Sequence, residues 1–399
     1  MKYFLIFIST LMPFQSCTTS RKMSDNQVKS GHFQLYSYPK KGDHFDFDES
    51  RYKRIALISL NDFNGSIEPS VYPIKNRFNE PRNIKIGGIK ALRAYKDILE
   101  EEYKDSLVLV DAGSFLHKTN KHNETVFLYN YLGVDVASLG FGELDITDKK
   151  SIEFQNYLQS VTSKAKFDIL SSNLFNLREA NQIKWKGISQ YTIKTINGLK
   201  VGFLSVMTTE LSEKIADGKI NGIYIQNPPK SIITNANILR RKGAQVIVLL
   251  ANKGLDCTSK QALEDNLHPE KVNFHPNEST YCNIYKSELY KTLNLIPPGT
   301  VDIVMTSGEN SKVANFINGY PVLQTTGNGQ FFSWAEIYFD LKHNRIDQSK
   351  TLIHQPIQIC HDFLKESQDC YPHESLDHQE ITPALFLNKK IELKEYPKQ

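Results

Sequence analysis

The chain lacks a segment able to span a bilayer as a helix. Its N-terminal apolar run, Tyr3 to Met12, is ten residues long, about half of the ~20 that a membrane helix needs. Neither sign of charge dominates: 48 Lys and Arg face 44 Asp and Glu, for a net charge of +4. That balance removes the electrostatic case for a nucleic-acid binder. Cysteine is scarce, five in 399 residues, and none of the spacings fits a zinc site. There is no internal repeat and no low-complexity tract, which argues against repeat arrays and extended linkers. What is present is the composition of a folded protein, 40% hydrophobic and 23% charged, long enough for one large domain or two ordinary ones.

The N-terminus reads as a targeting segment. Lys2 supplies a short positive region, the run Tyr3 to Met12 follows, and Pro13-Phe14-Gln15-Ser16-Cys17 ends it. A short apolar run behind a basic residue is a signal peptide rather than a membrane anchor. The small residue before Cys17 resembles the lipobox of bacterial lipoproteins, although Phe14 and Gln15 depart from its usual small or aliphatic residues. The resemblance implies a lipid on Cys17 and a membrane-tethered protein on the periplasmic or outer-membrane face. The other reading is ordinary secretion with an unpaired Cys17. If Cys17 carries lipid, Cys257, Cys282, Cys360 and Cys370 remain. An even remainder in an exported protein points to two disulfides. Nearest neighbours pair Cys257 with Cys282 and Cys360 with Cys370, and the other two connectivities stay open.

Residues 18–50 are polar and aperiodic, a tether and lead-in. From Arg54 onward strands and helices alternate. The β-branched run Ile55 to Leu60 stops at Asn61-Asp62-Phe63-Asn64-Gly65, which puts polar side chains at the C-terminal edge of a sheet. Gly87-Gly88 opens a helix with Ile89, Leu92, Tyr95, Ile98 and Leu99 at helical spacing. Leu107 to Asp111 is a strand, Glu124 to Leu132 a helix closed by Gly133, and Val134 to Leu139 a strand ending in Gly140-Phe141-Gly142-Glu143. Tyr191 to Ile196, Asn197-Gly198 and Lys200 to Val206 predict a hairpin with a type I′ turn. Pro228-Pro229 starts a helix to Arg241. Further strands are expected at Phe167 to Ser171, Val246 to Leu250, Val301 to Met305, Val322 to Gln324, Trp334 to Leu341 and Leu352 to Ile359. Residues 255–299 break the rhythm and read as a disulfide-bearing insertion. The domain plan is therefore a signal segment 1–17, a tether 18–50, a main domain 51–345, and an extension 346–399 with a Cys pair.

Five strand ends, in order, resemble the five metal-binding motifs of the metallophosphoesterase (calcineurin-like) superfamily, in particular its 5′-nucleotidase branch. The likeness covers roughly Arg54 to Leu341, and Ser172-Asn173 and Gly198 to Thr209 match lesser family features. It implies a four-layer α-β-β-α sandwich of two mixed sheets, an α/β fold that the alternation of elements also indicates. It further implies two divalent cations that activate a water and clamp a phosphate. The ligand positions carry over one at a time. Asp62 keeps the family Asp. Asn64 stands for a His, and Ser114 for the Asp that bridges both metals. Phe141 stands for an Asn and Gly142 for the catalytic His. Asn252, Glu309 and Ser311 stand for three further His. One of seven ligands is kept. A Phe offers no lone pair, and without the bridging carboxylate two like charges have nothing to hold them together.

The expectation is thus a non-catalytic binding module on a nucleotidase-like scaffold, tethered to a membrane through Cys17, with a protein partner or small ligand and no nucleic acid. No cofactor is expected beyond a weakly held divalent cation in an oxygen-rich cluster of Asp62, Asn64, Ser114, Asn252, Glu309 and Ser311. Two alternatives remain: a phosphoesterase or nucleotidase with a rebuilt or single-metal site, and a structural envelope component. Asp62 also reads as a plain turn-former. His117, three residues after Ser114, is a replacement ligand or a solvent-facing loop residue. His268, His275, His354 and His361 are assigned no chemistry. The nucleotidase branch carries a separate C-terminal domain for the nucleoside, and the 58 residues after Leu341 are too few for it.

Overall fold

The run that opens the domain alternates its side chains between two cores. In β1 (Tyr52–Leu60), Ile55 and Leu57 face one apolar cluster while Ala56, Ile58 and Leu60 face another, as a period of two requires. A strand buried on both faces needs a layer on each side, and the computed structural model shows both. It describes residues 48–75, 78–116, 121–146, 151–209, 222–252, 254–255, 287–308, 312–365, 370 and 381–397. Cys17, His117, Cys257, His268, His275, Cys282, Glu309 and Ser311 lie outside the described residues.

After β1 come β2 (Ser70–Lys75), β3 (Pro81–Ile86), α1 (Ile89–Tyr103), β4 (Leu107–Asp111) and α2 (His122–Leu132). Next are β5 (Val136–Ser138), the one-turn α3 (Phe141–Leu144), α4 (Ser151–Thr162) and β6 (Asp168–Leu170). The chain continues through β7 (Leu174–Asn176), β8 (Ile188–Ser189), β9 (Tyr191–Ile196), β10 (Leu199–Met207) and β11 (Ile223–Ile225). It then forms α5 (Pro228–Arg241), β12 (Val246–Asn252), α6 (Glu288–Leu295) and β13 (Ile303–Thr306). Last come β14 (Val313–Ile317), β15 (Tyr320–Gln324), β16 (Phe331–Asp340), β17 (Arg345–Ile346) and β18 (Leu352–Gln358).

The first sheet runs β17-β16-β1-β4-β5-β6-β8, with β18 also beside β16. Its centre is parallel, and β16 is antiparallel to β1. The second sheet runs β14-β15-β13-β12-β10-β9, parallel at its centre with antiparallel edges. The sheets pack face to face through Leu57, Val110 and Val136 on one side and Phe203, Val248 and Met305 on the other. Helices α1, α2 and α4 cover the outside of the first sheet with Leu92, Tyr129 and Phe154. Helices α5 and α6 cover the second with Ile232, Leu239 and Leu289. This is the four-layer α-β-β-α sandwich of two mixed sheets.

Local signals act as expected. Asn197 and Gly198 both have positive φ, 49° and 78°, so the hairpin closes through a type I′ turn. Gly133 caps α2 in the left-handed conformation. Several places differ, among them helices α3 and α4 and the short strands β7, β8, β11 and β17, which the sequence reading does not contain. The β2–β3 hairpin and β14 are absent from the sequence reading, because short half-exposed strands leave weak alternation. The end of the 255–299 stretch is helix α6, whose Leu289 and Leu293 sit in the outer core. The strand expected at Leu352 to Ile359 forms β18 (Leu352–Gln358) and joins the first sheet, while the rest of the segment after residue 345, read as an extension, buries Phe386 and Ile391 in the first core. Cys360 and Cys370 form a disulfide.

Candidate functional site

Parallel strands β1, β4 and β5 of one sheet and β12 and β13 of the other all end at the same edge, and their polar loop residues meet there. Asp62 leaves β1 in the left-handed conformation, φ 44°. Its N–H donates to Gly113 O (2.9 Å). Its carboxylate Oδ2 accepts from Gly308 N (2.7 Å) and from Asn61 Nδ2 (2.9 Å). The neighbouring Asn61 ties the two sheets together. Its Oδ1 accepts from Thr325 N and Thr325 Oγ1, at 3.0 and 2.7 Å, while its Nδ2 donates to Thr325 O (3.1 Å). Asn64, φ 53°, lies at the mouth and donates through Nδ2 to Asn328 Oδ1 (3.2 Å).

Asn252, at the end of β12, is the hub. It is buried, and both ends of its amide are engaged. Oδ1 accepts from Phe141 N (3.0 Å), and Nδ2 donates to Ser307 Oγ (3.0 Å) and Ser114 Oγ (3.3 Å). Ser114 Oγ also accepts from Gly142 N (3.2 Å). The loops are shaped around this contact. A Cβ on Gly140 would lie 2.5 Å from both Asn252 Nδ2 and Ser114 N, and one on Gly142 would lie 3.1 Å from Ser114 Cβ. Packing therefore constrains position 142: Ser114 stands where a side chain there would begin.

Two buried carboxylates brace the same loops. Glu143 accepts from Gly140 N (2.6 Å), Leu116 N (2.8 Å) and Ser114 N (3.1 Å). Burial nonetheless pushes its carboxyl up to about 7, because three donors do not repay full loss of water. Asp111 accepts from Gly113 N (2.7 Å) and the Tyr129 hydroxyl (2.8 Å), and burial, with Glu143 and Asp62 close by, holds it well above the usual carboxylate range.

The structure thus brings Asp62, Asn64, Ser114, Phe141, Gly142 and Asn252 to one edge. The clamping roles of Asn61, Thr325 and Ser307 escape the sequence reading. Their only sequence signal is a polar residue directly after a strand. Among the described residues the donor set does not fit a two-cation site. Ser114 and Asn252 are neutral, their polar atoms already bond one another, and Phe141 has no donor atom to offer from its side chain. Among the described residues no group of three or more His, Cys, Asp or Glu is placed to hold a metal ion. Among the described residues the partners of Ser114 Oγ are Gly142 N and Asn252 Nδ2.

No protein-family model matches the chain. Among curated proteins it is similar to the cell wall protein Lmo0130 of Listeria monocytogenes, 23% identical over 310 residues, which is 70% of this chain and 36% of that one. Among solved structures it resembles a putative 5′-nucleotidase from Staphylococcus aureus, with TM-score 0.55 and 15% identity, over 77% of this chain and 55% of the other. It also resembles the calcineurin-like phosphoesterase YfkN from Bacillus subtilis, with TM-score 0.54 and 15% identity, over 77% of this chain and 91% of the other. The chain spans about a third of the length of the curated relatives it matches. Its fold is that of the metallophosphoesterases, as the order of the five strand ends implied. Among the described residues no helix is long and apolar enough to cross a membrane.

Proposed function

We propose that the chain is a non-catalytic module on the metallophosphoesterase fold, exported and held at the envelope by a lipid on Cys17, and that it acts by binding. The observation that supports the first part is the Asn252 amide. It joins Ser114, Ser307 and the Phe141 N–H, so positions that would hold cations in the family hold one another instead. The name of the Listeria relative, a cell wall protein, favours an envelope location. The module binds a partner protein, or a small ligand at these strand ends.

The test is metal content and turnover in one preparation. After dialysis against mixed Mn²⁺, Zn²⁺, Mg²⁺ and Ca²⁺, elemental analysis is expected to find less than one-tenth of a metal per chain. A panel of phosphoesters, nucleotides included, is expected to show no hydrolysis above buffer. One or two retained metals, with hydrolysis that Asp62→Ala removes, would establish the rebuilt-site enzyme instead. Mass spectrometry of protein extracted from membranes checks the anchor: Cys17 is expected to carry diacylglycerol, and Cys17→Ser to release the protein.

A further inference from the structure

Past Ile391 the chain changes its mode of attachment. Up to that residue it belongs to the body of the domain: Phe386, Leu387 and Ile391 are buried in the first core, and Ile391 N donates to Ala384 O (3.0 Å). Residues 392–397 lie across the outside of α1 instead. Among the described residues none of their backbone N–H groups bonds to another backbone group. Side chains hold them. Lys389 meets Glu101 (2.7 Å), Lys394 meets Asp97 (2.5 Å) and Glu395 meets Lys90 (2.6 Å). The partners descend α1 from its C-terminal to its N-terminal end, so the segment runs antiparallel to the helix. Tyr396 completes the line. Its hydroxyl donates to Glu68 Oε1 (3.3 Å), Lys90 Nζ lies 5.8 Å from its ring centroid, and the half-buried ring packs on the first core. The Tyr131 hydroxyl adds a long bond to Glu395 O (3.5 Å).

This attachment is electrostatic and wet. The Glu395 side chain is 84% exposed and that of Lys394 57% exposed. Exposed pairs of this kind are individually weak and are screened by salt. Departure of the segment leaves no buried charge behind. Asp97 keeps Arg93, whose Nε lies 2.7 Å from its Oδ1, and Glu68 is exposed. Of residues 392–397 only Tyr396 packs against the core, while Leu393 is exposed. We propose that residues 392–397 are an ionic strap, closed over α1 at low ionic strength and lifted at high ionic strength while the domain stays folded. Lifting bares Lys90 and Asp97 on the outer face of α1. It also releases Glu68, at the foot of the loop that carries Asp62 and Asn64. This does not depend on what the strand-end site binds.

Tyr396→Trp in the full chain reports on the strap directly, and its indole N–H can replace the hydroxyl as donor to Glu68. The native Trp185 and Trp334 are buried and supply a constant background. Acrylamide is an uncharged quencher, so salt does not screen its approach. The Debye length falls from about 30 Å at 0.01 M salt to about 3 Å at 1 M. Across that range the Stern–Volmer constant of the introduced indole is expected to rise at least twofold, with the far-ultraviolet circular dichroism unchanged. Adding Lys394→Glu is expected to give the high-salt constant already at 0.01 M. Adding Asp97→Lys to that variant restores opposite charges and is expected to recover at least half of the protection. A constant that is the same at both salt concentrations, or that Lys394→Glu leaves at its low-salt value, would overturn the proposal. So would a rise that comes with loss of helical circular dichroism, or a charge swap that restores no protection.

Discussion

Asn252 shows how one side chain closes a site. Its amide occupies the space that Gly113 and Gly140 leave open, and it meets acceptors and donors from both sheets. Asn252→Ala leaves the Phe141 N–H and two hydroxyls without that partner in a buried place. A loss of about 2–4 kcal/mol in unfolding free energy is expected, read from the midpoint of a denaturant titration. Glu143 makes stability depend on pH. Its carboxyl titrates near 7 in the folded chain against an ordinary value of 4.5. Between those values the native state binds the proton that the unfolded state has released, so stability falls as pH rises through this window. A shift of this size is worth up to about 3 kcal/mol. Glu143→Gln is expected to flatten the profile of melting temperature between pH 5 and 7.5. It also lowers stability throughout, because the Gln amide turns an N–H toward one of the three backbone donors.

At the scale of elements, the same residue type has different tolerances according to where it sits. Gly198 has φ 78°, and a Cβ added there would meet nothing within 4 Å, so its requirement is conformational alone. Gly198→Ala is expected to cost about 1 kcal/mol, the penalty for an L-residue held left-handed. Gly140 has φ −118°, which any residue adopts, but its Cβ would run into Asn252 and the Ser114 N–H. Gly140→Ala is expected to cost about 3 kcal/mol or more, since backbone must move to admit it. Thermal melts of the two variants side by side separate a turn constraint from a packing constraint. The β5–α3 corner shows the same packing constraint in side chains. The Ser114 hydroxyl and the Gly142 N–H are fitted to each other, and a Cβ at 142 would press on Ser114.

For the molecule as a whole, the segment after residue 345 is a structural part of the first layer. Phe386 packs against Tyr95, Phe332 and Trp334, and the Cys360–Cys370 bond is buried beneath the same helix. Phe386→Ala is expected to cost about 3–5 kcal/mol. Cys370→Ser is expected to cost about 2–3 kcal/mol from the ten-residue loop it opens. In contrast, Lys394→Ala breaks only an exposed pair with Asp97 and is expected to change stability by less than about 0.5 kcal/mol. Equilibrium unfolding with and without reductant distinguishes these cases.

The sequence alone determined what short-range physics controls. Runs such as Ile55 to Leu60 must be buried strands, Asn197-Gly198 must turn, and Pro228-Pro229 must begin a helix, because each signal lies within a few residues. The order of the strand ends carried the fold, and the residues at 64, 114, 141 and 252 differ from the ligands that the resemblance implies there. Only the tertiary structure decided what stands in their place. Asn61 reaches Thr325 across 264 positions, Asp62 reaches Gly308 across 246, and Asn252 reaches Ser114 across 138. No local pattern encodes such pairs. They exist because two sheets, each folded by its own alternation, bring their strand ends to one edge, where buried polar groups bond to one another.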